Sequence, residues 1–279
     1  MSKNKIKLLL AIFLVGASVQ ARQSCRVKSV DAYKIVDGKT RHARHELAYD
    51  PQGKMIFITA VKFKEDGSVD QNETVNVAYK QESVSILRSY FHNVKIEVKF
   101  DKQGKFKECR NPDYKINYNQ DGSVKEYTYR EKKYEALYDE HNRLAALIND
   151  RSEAVYSNYL VYFTPEGKID YVQKGVGYEA ETIRPVWDGE RLVTINTINR
   201  FNKIECKHEF VYDDSGKLVE EKIYHNKSFD GEDFSLGMHY KIQYEDGQGN
   251  DDVYTMYVNW QANVLFGVRS FFFEFEIKV

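Results

Sequence analysis

Proline, cysteine and tryptophan are scarce: 4 Pro, 3 Cys and 2 Trp in 279 residues. Three cysteines cannot build the disulfide framework of a small secreted scaffold, and no C-x-x-C spacing marks zinc or a dithiol redox site. Charge of one sign is also missing, the net being -1. Apart from Leu8–Val15 no long apolar run occurs, and a mean hydropathy of -0.61 excludes a bundle of membrane helices. The usual catalytic and nucleotide signatures are absent as well. There is no G-x-S-x-G and no G-x-x-x-x-G-K, and Gly175-Val176-Gly177 lacks the strand-to-helix setting of a dinucleotide fingerprint. What is abundant is tyrosine, 21 residues alongside 16 Phe, which with so little proline favours β-strands.

The first residues resemble an export signal. Lys3, Lys5 and Lys7 precede the apolar run, and Val19-Gln20-Ala21 offers small residues to a signal peptidase, so cleavage is expected after Ala21. The run is too short for a membrane anchor. Cys25 is not preceded by a lipobox, because Arg22-Gln23-Ser24 puts a charged residue there. Removing residues 1–21 deletes three lysines and no acids, taking the net charge from -1 to -4. A mildly acidic mature chain argues against nucleic acid as a partner.

One seven-residue frame recurs: aromatic, Asp, two free positions, Gly, basic, apolar. It is read in Tyr49–Met55, Phe100–Phe106 and Tyr212–Leu218. Phe163–Ile169 keeps the frame without the Asp, and Tyr138–Leu144 keeps it with Asn142 in the Gly place, Asn being the residue that next best tolerates positive φ. Phe63–Val69 and Tyr118–Val124 are looser copies sharing Asp-Gly-Ser-Val, and Trp187–Leu192 is one residue shorter. The spacing predicts a three-residue hairpin loop, a type I turn followed by a left-handed Gly as a bulge. Asp50 and Lys54, Asp101 and Lys105, Asp139 and Arg143, and Asp213 and Lys217 would then face each other as charge pairs on the solvent side. Tyr49 would meet Met55, Phe100 Phe106, Tyr138 Leu144 and Tyr212 Leu218 on the buried side.

Period-two alternation fills the intervals, as in Val94-Ile96-Val98-Phe100 and Val155-Ser157-Tyr159-Val161-Phe163. Gln81–Asn93, which also fits a helical face, is read as strand. This is an all-β chain: residues 22–279 form a single domain, an antiparallel meander of hairpins. So many strands exceed the roughly 10 that an open twisted sheet tolerates, so the sheet must curl, fold back or close.

The Tyr-Asp-x-x-Gly-Lys/Arg-Leu frame resembles the YD repeat of Rhs and teneurin-type proteins, over roughly Tyr49 to Gly249. The resemblance implies successive hairpins of a long antiparallel sheet that can spiral into a shell. It implies no active site here.

Candidate sites are few. His42-Ala43-Arg44-His45-Glu46 gathers two imidazoles and a carboxylate, but a strand sends His42 and His45 to opposite faces, against a shared metal. His208 lies an even step from Tyr212, on the buried side, as a hydrogen-bonded structural histidine. Asp246-Gly247-Gln248-Gly249-Asn250-Asp251-Asp252 partly matches a calcium nonapeptide but is a single copy, and reads better as an acidic hairpin tip. No catalytic, metal or cofactor residue is therefore assigned. At the C-terminus Phe271, Phe273, Phe275, Ile277 and Val279 share one face, resembling the closing strand of an outer-membrane barrel. Cys206 is an even step before Tyr212 and belongs to the core. Cys109 is an odd step after Phe106 and belongs to the charged face unless a bulge intervenes, so the two should not bridge, leaving Cys25 as the candidate partner of either.

These readings favour an exported bacterial protein of the periplasm or cell surface, a non-enzymatic module binding a protein or carbohydrate of the envelope or serving a structural role. An outer-membrane barrel and a carboxylate-dependent secreted hydrolase are the alternatives.

Overall fold

A computed structural model describes residues 25–247, apart from 37, 81–82, 89–94, 101–105, 111–113, 130–131, 150–157, 176–179 and 229–232. The export segment, Gly104 and the C-terminal aromatic alternation lie outside the described residues.

Among the described residues all regular structure is β. The first strands are β1 (Cys25–Val36), β2 (Lys39–Tyr49), β3 (Met55–Phe63), β4 (Val69–Lys80), β5 (Ser83–Arg88) and β6 (Lys95–Phe100). Next come β7 (Phe106–Arg110), β8 (Tyr114–Tyr118), β9 (Val124–Tyr129), β10 (Lys132–Tyr138), β11 (Leu144–Asn149) and β12 (Tyr159–Phe163). The last are β13 (Ile169–Lys174), β14 (Glu181–Asp188), β15 (Arg191–Ile198), β16 (Ile204–Tyr212), β17 (Leu218–Asn226) and β18 (Phe234–Asp246). Each pairs antiparallel with its neighbours in sequence, and β1 pairs β18 as well as β2, so the pairings of this 18-stranded sheet run in a ring. β5 occupies part of the segment that also suited a helical face.

The frame folds as its spacing predicts. At Asp50, Lys64, Asn119, Asp139, Thr164, Asn199 and Asp213, the residue donates its N–H to the carbonyl four residues on, and its own carbonyl accepts the N–H three residues on. The third loop residue is left-handed, with φ of 80° at Gly53, 84° at Gly216 and 58° at Asn142. Tyr49 pairs Met55, Phe100 Phe106, Tyr138 Leu144 and Tyr212 Leu218, as expected.

Two corrections follow. First, the frame's Asp is chiefly a turn cap rather than half of a charge pair. Asp50 Oδ1 accepts the backbone N–H of Gln52 and Lys54 at 2.9 and 2.8 Å, and Asp213 Oδ1 accepts that of Lys217 at 2.9 Å. Among the described frames, Asp139 alone adds the expected bond to its basic partner, from Arg143 Nε at 2.7 Å; Asp101 and Lys105 lie outside the described residues. The same work is done without charge at Asn199, which accepts from Phe201 and Lys203, in a copy that lacks both the aromatic and the Gly.

Second, each frame is followed by a β-bulge. Ala48 pairs Phe57 while Tyr49 pairs Met55, so Ile56 is extra; Ala145, Asp170, Val193 and Val219 are extra in the same way. The bulge reverses parity, so the residue three after the closing apolar returns to the buried side: Ile58, Leu147, Val172, Ile195 and Glu221 are all at most 1% exposed. Lys107 is extra in β7, which removes the parity argument for Cys109, whose side chain lies outside the described residues.

The buried face carries Val30, Leu47, Met55, Val75, Leu147, Tyr159, Ile183, Phe210 and Ile242, and the other face is mostly polar and charged, with exposed Ile56, Leu137 and Val186 among its apolar residues. In β18, buried Met238, Tyr240 and Ile242 alternate with half-buried His239 and exposed Lys241 and Gln243.

Candidate functional site

Because the meander alternates its turns between two ends, the turns after β2, β8, β10, β12, β14 and β16 share one rim. Here the frame aromatics join hairpin to hairpin. Tyr49 donates to the carbonyl of Val27 at 2.8 Å, Tyr212 to Leu192 at 2.8 Å, Tyr244 to Leu218 at 2.9 Å and Trp187 Nε1 to Ile169 at 3.0 Å. The frame's basic residue covers the next aromatic: Arg143 lies 4.3 Å from the Phe163 ring centre and Arg191 5.8 Å from that of Tyr212. These rim side chains are engaged in holding the fold.

Among the described residues, two polar clusters that include histidines stand out, one on each face. On the outer face, β1 presents Asp31 to β2. Arg44 donates through Nε and Nη2 to the two carboxylate oxygens at 2.9 and 3.0 Å, and His42 Nε2 lies 2.7 Å from Oδ1. Burial pushes the Asp31 carboxyl up, but the bonds from Arg44 and His42 outweigh it and hold the group below its ordinary range. The His42 ring stacks between Tyr33 and Phe63, each 4.6 Å away. One strand over, His239 Nε2 meets Glu220 at 3.0 Å and Lys222 meets it at 3.2 Å. His45 is buried on the other face, so the two histidines of the 42–46 string do separate as expected. The arrangement makes a polar seam across β17, β18, β1, β2 and β3, with every imidazole and carboxylate named here already engaged.

The inner face holds Cys206, His208 and Glu221. His208 Nδ1 lies 2.9 Å from Glu221 Oε1, with side-chain exposures of 3% and 0%. His208 Nε2 lies 3.5 Å from Cys206 Sγ. Cys206 and His208 follow each other on one face of β16, and Glu221 reaches the same side of β17 through the bulge at Val219. Burial, and then the Glu221 charge, push the Tyr240 phenol far up, so it stays protonated beside this carboxylate. His208 is thus the buried, hydrogen-bonded residue that its spacing suggested, and Cys206 is half-buried against the core. Sequence reasoning missed Glu221, since plain alternation from Leu218 sends it to solvent.

Cys25 and Cys206 are thiols. Cys25 pairs Asp246, whereas Cys206 pairs His225, which pairs Ser235, eleven residues back along β18. The two thiols are about 36 Å apart along the strands and cannot join, which corrects the expectation for Cys25 with Cys206; the Cys109 side chain, its other expected partner, lies outside the described residues. Of the acidic tip, Asp246 and Gly247 are described and Gln248–Asp252 are not. Among the described residues no group of three His, Cys, Asp or Glu could hold a metal ion.

No protein-family model and no curated protein matches the sequence. Among solved structures, the chain is similar to a porin-like protein from Bacteroides uniformis, at 11% identity over 78% of this chain and 98% of that one, with a TM-score of 0.46. A porin-like protein from Bacteroides vulgatus gives 11% identity over 78% and 98%, with a TM-score of 0.36. The Tc holotoxin pore of Photorhabdus luminescens gives 8% identity over 71% of this chain and 12% of that one, with a TM-score of 0.33. With every TM-score under 0.5, these likenesses carry no argument about what the chain does.

Proposed function

We propose that this chain is an exported cell-envelope protein of YD-like hairpins, a non-enzymatic module that binds an envelope protein or carbohydrate or plays a structural part. The observation that carries the reading is the polarity of the sheet's two faces. Among the described residues the buried face is mainly apolar, with His45, His208 and Glu221 set into it, and the exposed face is mainly Lys, Glu, Asp and Arg with scattered apolar residues such as Ile56, Leu137 and Val186, as in a particle surrounded by water. A lipid-spanning barrel needs an apolar exposed band, the reverse of what β17 and β18 present. The lysine-rich start, the apolar run and Val19-Gln20-Ala21 support export of such a particle. On the outer seam the charged groups are engaged with one another, which suits a surface better than a reaction site.

The test is fractionation of a bacterium expressing the full chain, with N-terminal sequencing of the product. The expected product begins at Arg22 and is recovered without detergent from periplasm or by washing the cell surface. An uncleaved chain in the cytoplasm would overturn export. A product extracted only by detergent, with a heat-modifiable band, would replace this reading with a membrane barrel.

A further inference from the structure

We propose that Cys206 is a nucleophilic thiol, activated by His208 and Glu221, that exchanges with small disulfides to form a mixed disulfide. The geometry has the three parts such a nucleophile needs: a thiol within reach of a base, and the base oriented by a third group. Nδ1–H of His208 donates to Glu221 at 2.9 Å, which leaves the Nε2 lone pair toward Cys206 Sγ at 3.5 Å. With the proton moved from sulfur to Nε2, an imidazolium stands between thiolate and carboxylate, each buried charge next to its opposite.

A second observation points the same way. Glu221 occupies the position where sister hairpins carry Ile58, Leu147, Val172 and Ile195, all buried aliphatics. An aliphatic residue fits this slot in those four hairpins, and a carboxylate in it costs solvation that its link to His208 helps to offset. Directly across the ladder from Cys206 stand Thr197 on β15 and His225 on β17, and Tyr240 on β18 stands across from Glu221. The His225 ring fills the space above Gly237, its Cδ2 2.6 Å from where a Cβ would stand there.

The exchange balances without a further reagent. His208 Nε2 takes the thiol proton and the thiolate attacks one sulfur of the disulfide. A Cys206–sulfur bond forms as the original S–S bond breaks. The departing thiolate recovers the proton from His208, so Cys206 is oxidised and half of the disulfide is reduced to a thiol.

The probe is hydroxyethyl disulfide, added to the folded mature chain across pH 5 to 10, with adducts located by peptide mass mapping. Cys206 is expected to form a reductant-reversible adduct, with a rate–pH midpoint at least about one unit below the 8.5 of an ordinary thiol, which the urea-unfolded chain should show. H208Q and E221Q should each return the midpoint to the ordinary value. The wild-type profile decides alone if either variant fails to fold. No adduct at Cys206 in the folded chain, a midpoint at or above that of the unfolded chain, or folded variants with an unchanged midpoint would overturn the proposal and leave the cluster a structural one.

Discussion

The phenol of Tyr138 donates to the carbonyl of Val124 at 2.7 Å, reaching from one hairpin's frame to the residue that closes the frame before it. Tyr212 does the same to Leu192, so the frame encodes the contact between hairpins as well as the turn within one. Tyr138→Phe and Tyr212→Phe keep the ring and delete the bond. Each should lower the free energy of unfolding by about 1 kcal/mol in urea titrations. Tyr162→Phe, on the exposed face, should leave it unchanged.

The left-handed loop position is equally specific. Gly216 has φ of 84°, and a Cβ there would stand 3.0 Å from Nη2 of Arg191, a flexible end that can give way. Gly216→Ala should therefore cost roughly 1 kcal/mol, set by the backbone more than by the clash. Gly216→Asn should cost less, because Asn142 and Asn202 hold φ of 58° and 59° in the same place. Equal losses for Ala and Asn in thermal melts would contradict this account.

Much of this was legible in the sequence, for a physical reason. A turn that needs positive φ, a cap and a flanking apolar pair leaves Gly or Asn, Asp or Asn, and an aromatic at fixed offsets. The Asn199 copy escaped notice because Ile198 replaces the aromatic and Asn202 the glycine, and its remaining signal is two asparagines three apart. The bulges were not legible, since the extra residue is aliphatic at Ile56, Ala145, Val193 and Val219 but charged at Lys107 and Asp170. That silence hid the candidate site. Cys206 and His208 follow from parity on an unbroken strand, whereas Glu221 lies beyond a bulge that reverses it.

The outer seam should weaken in acid. Asp31 titrates below its ordinary value in the folded chain, so its contribution is present above the unfolded value near 3.9 and is lost as pH falls through the folded one. Glu220, held down by Lys222 and His239 against its burial, acts in the same direction. Melting temperature should drop more steeply between pH 5 and 3 in the wild type than in Asp31→Asn, whose curve starts lower at pH 7. Parallel curves would show that the seam contributes nothing to this dependence.

Removing one half of the inner pair should be far worse than removing both. Glu221→Leu alone gives β17 the kind of residue its sister slots hold, but leaves His208 buried 3% exposed with its main acceptor gone. Breaking a buried pair in this way costs about 3–5 kcal/mol. The double substitution His208→Val with Glu221→Leu turns the site into ordinary core facing Ile195 and Ile223, the residues that flank His208 across the ladder. Well-packed apolar replacements of buried pairs are commonly neutral or stabilising, so the double variant should match or exceed the wild type in urea. A double variant as unstable as the sum of its singles would mean that the two side chains support the fold separately, through contacts other than the one they make with each other.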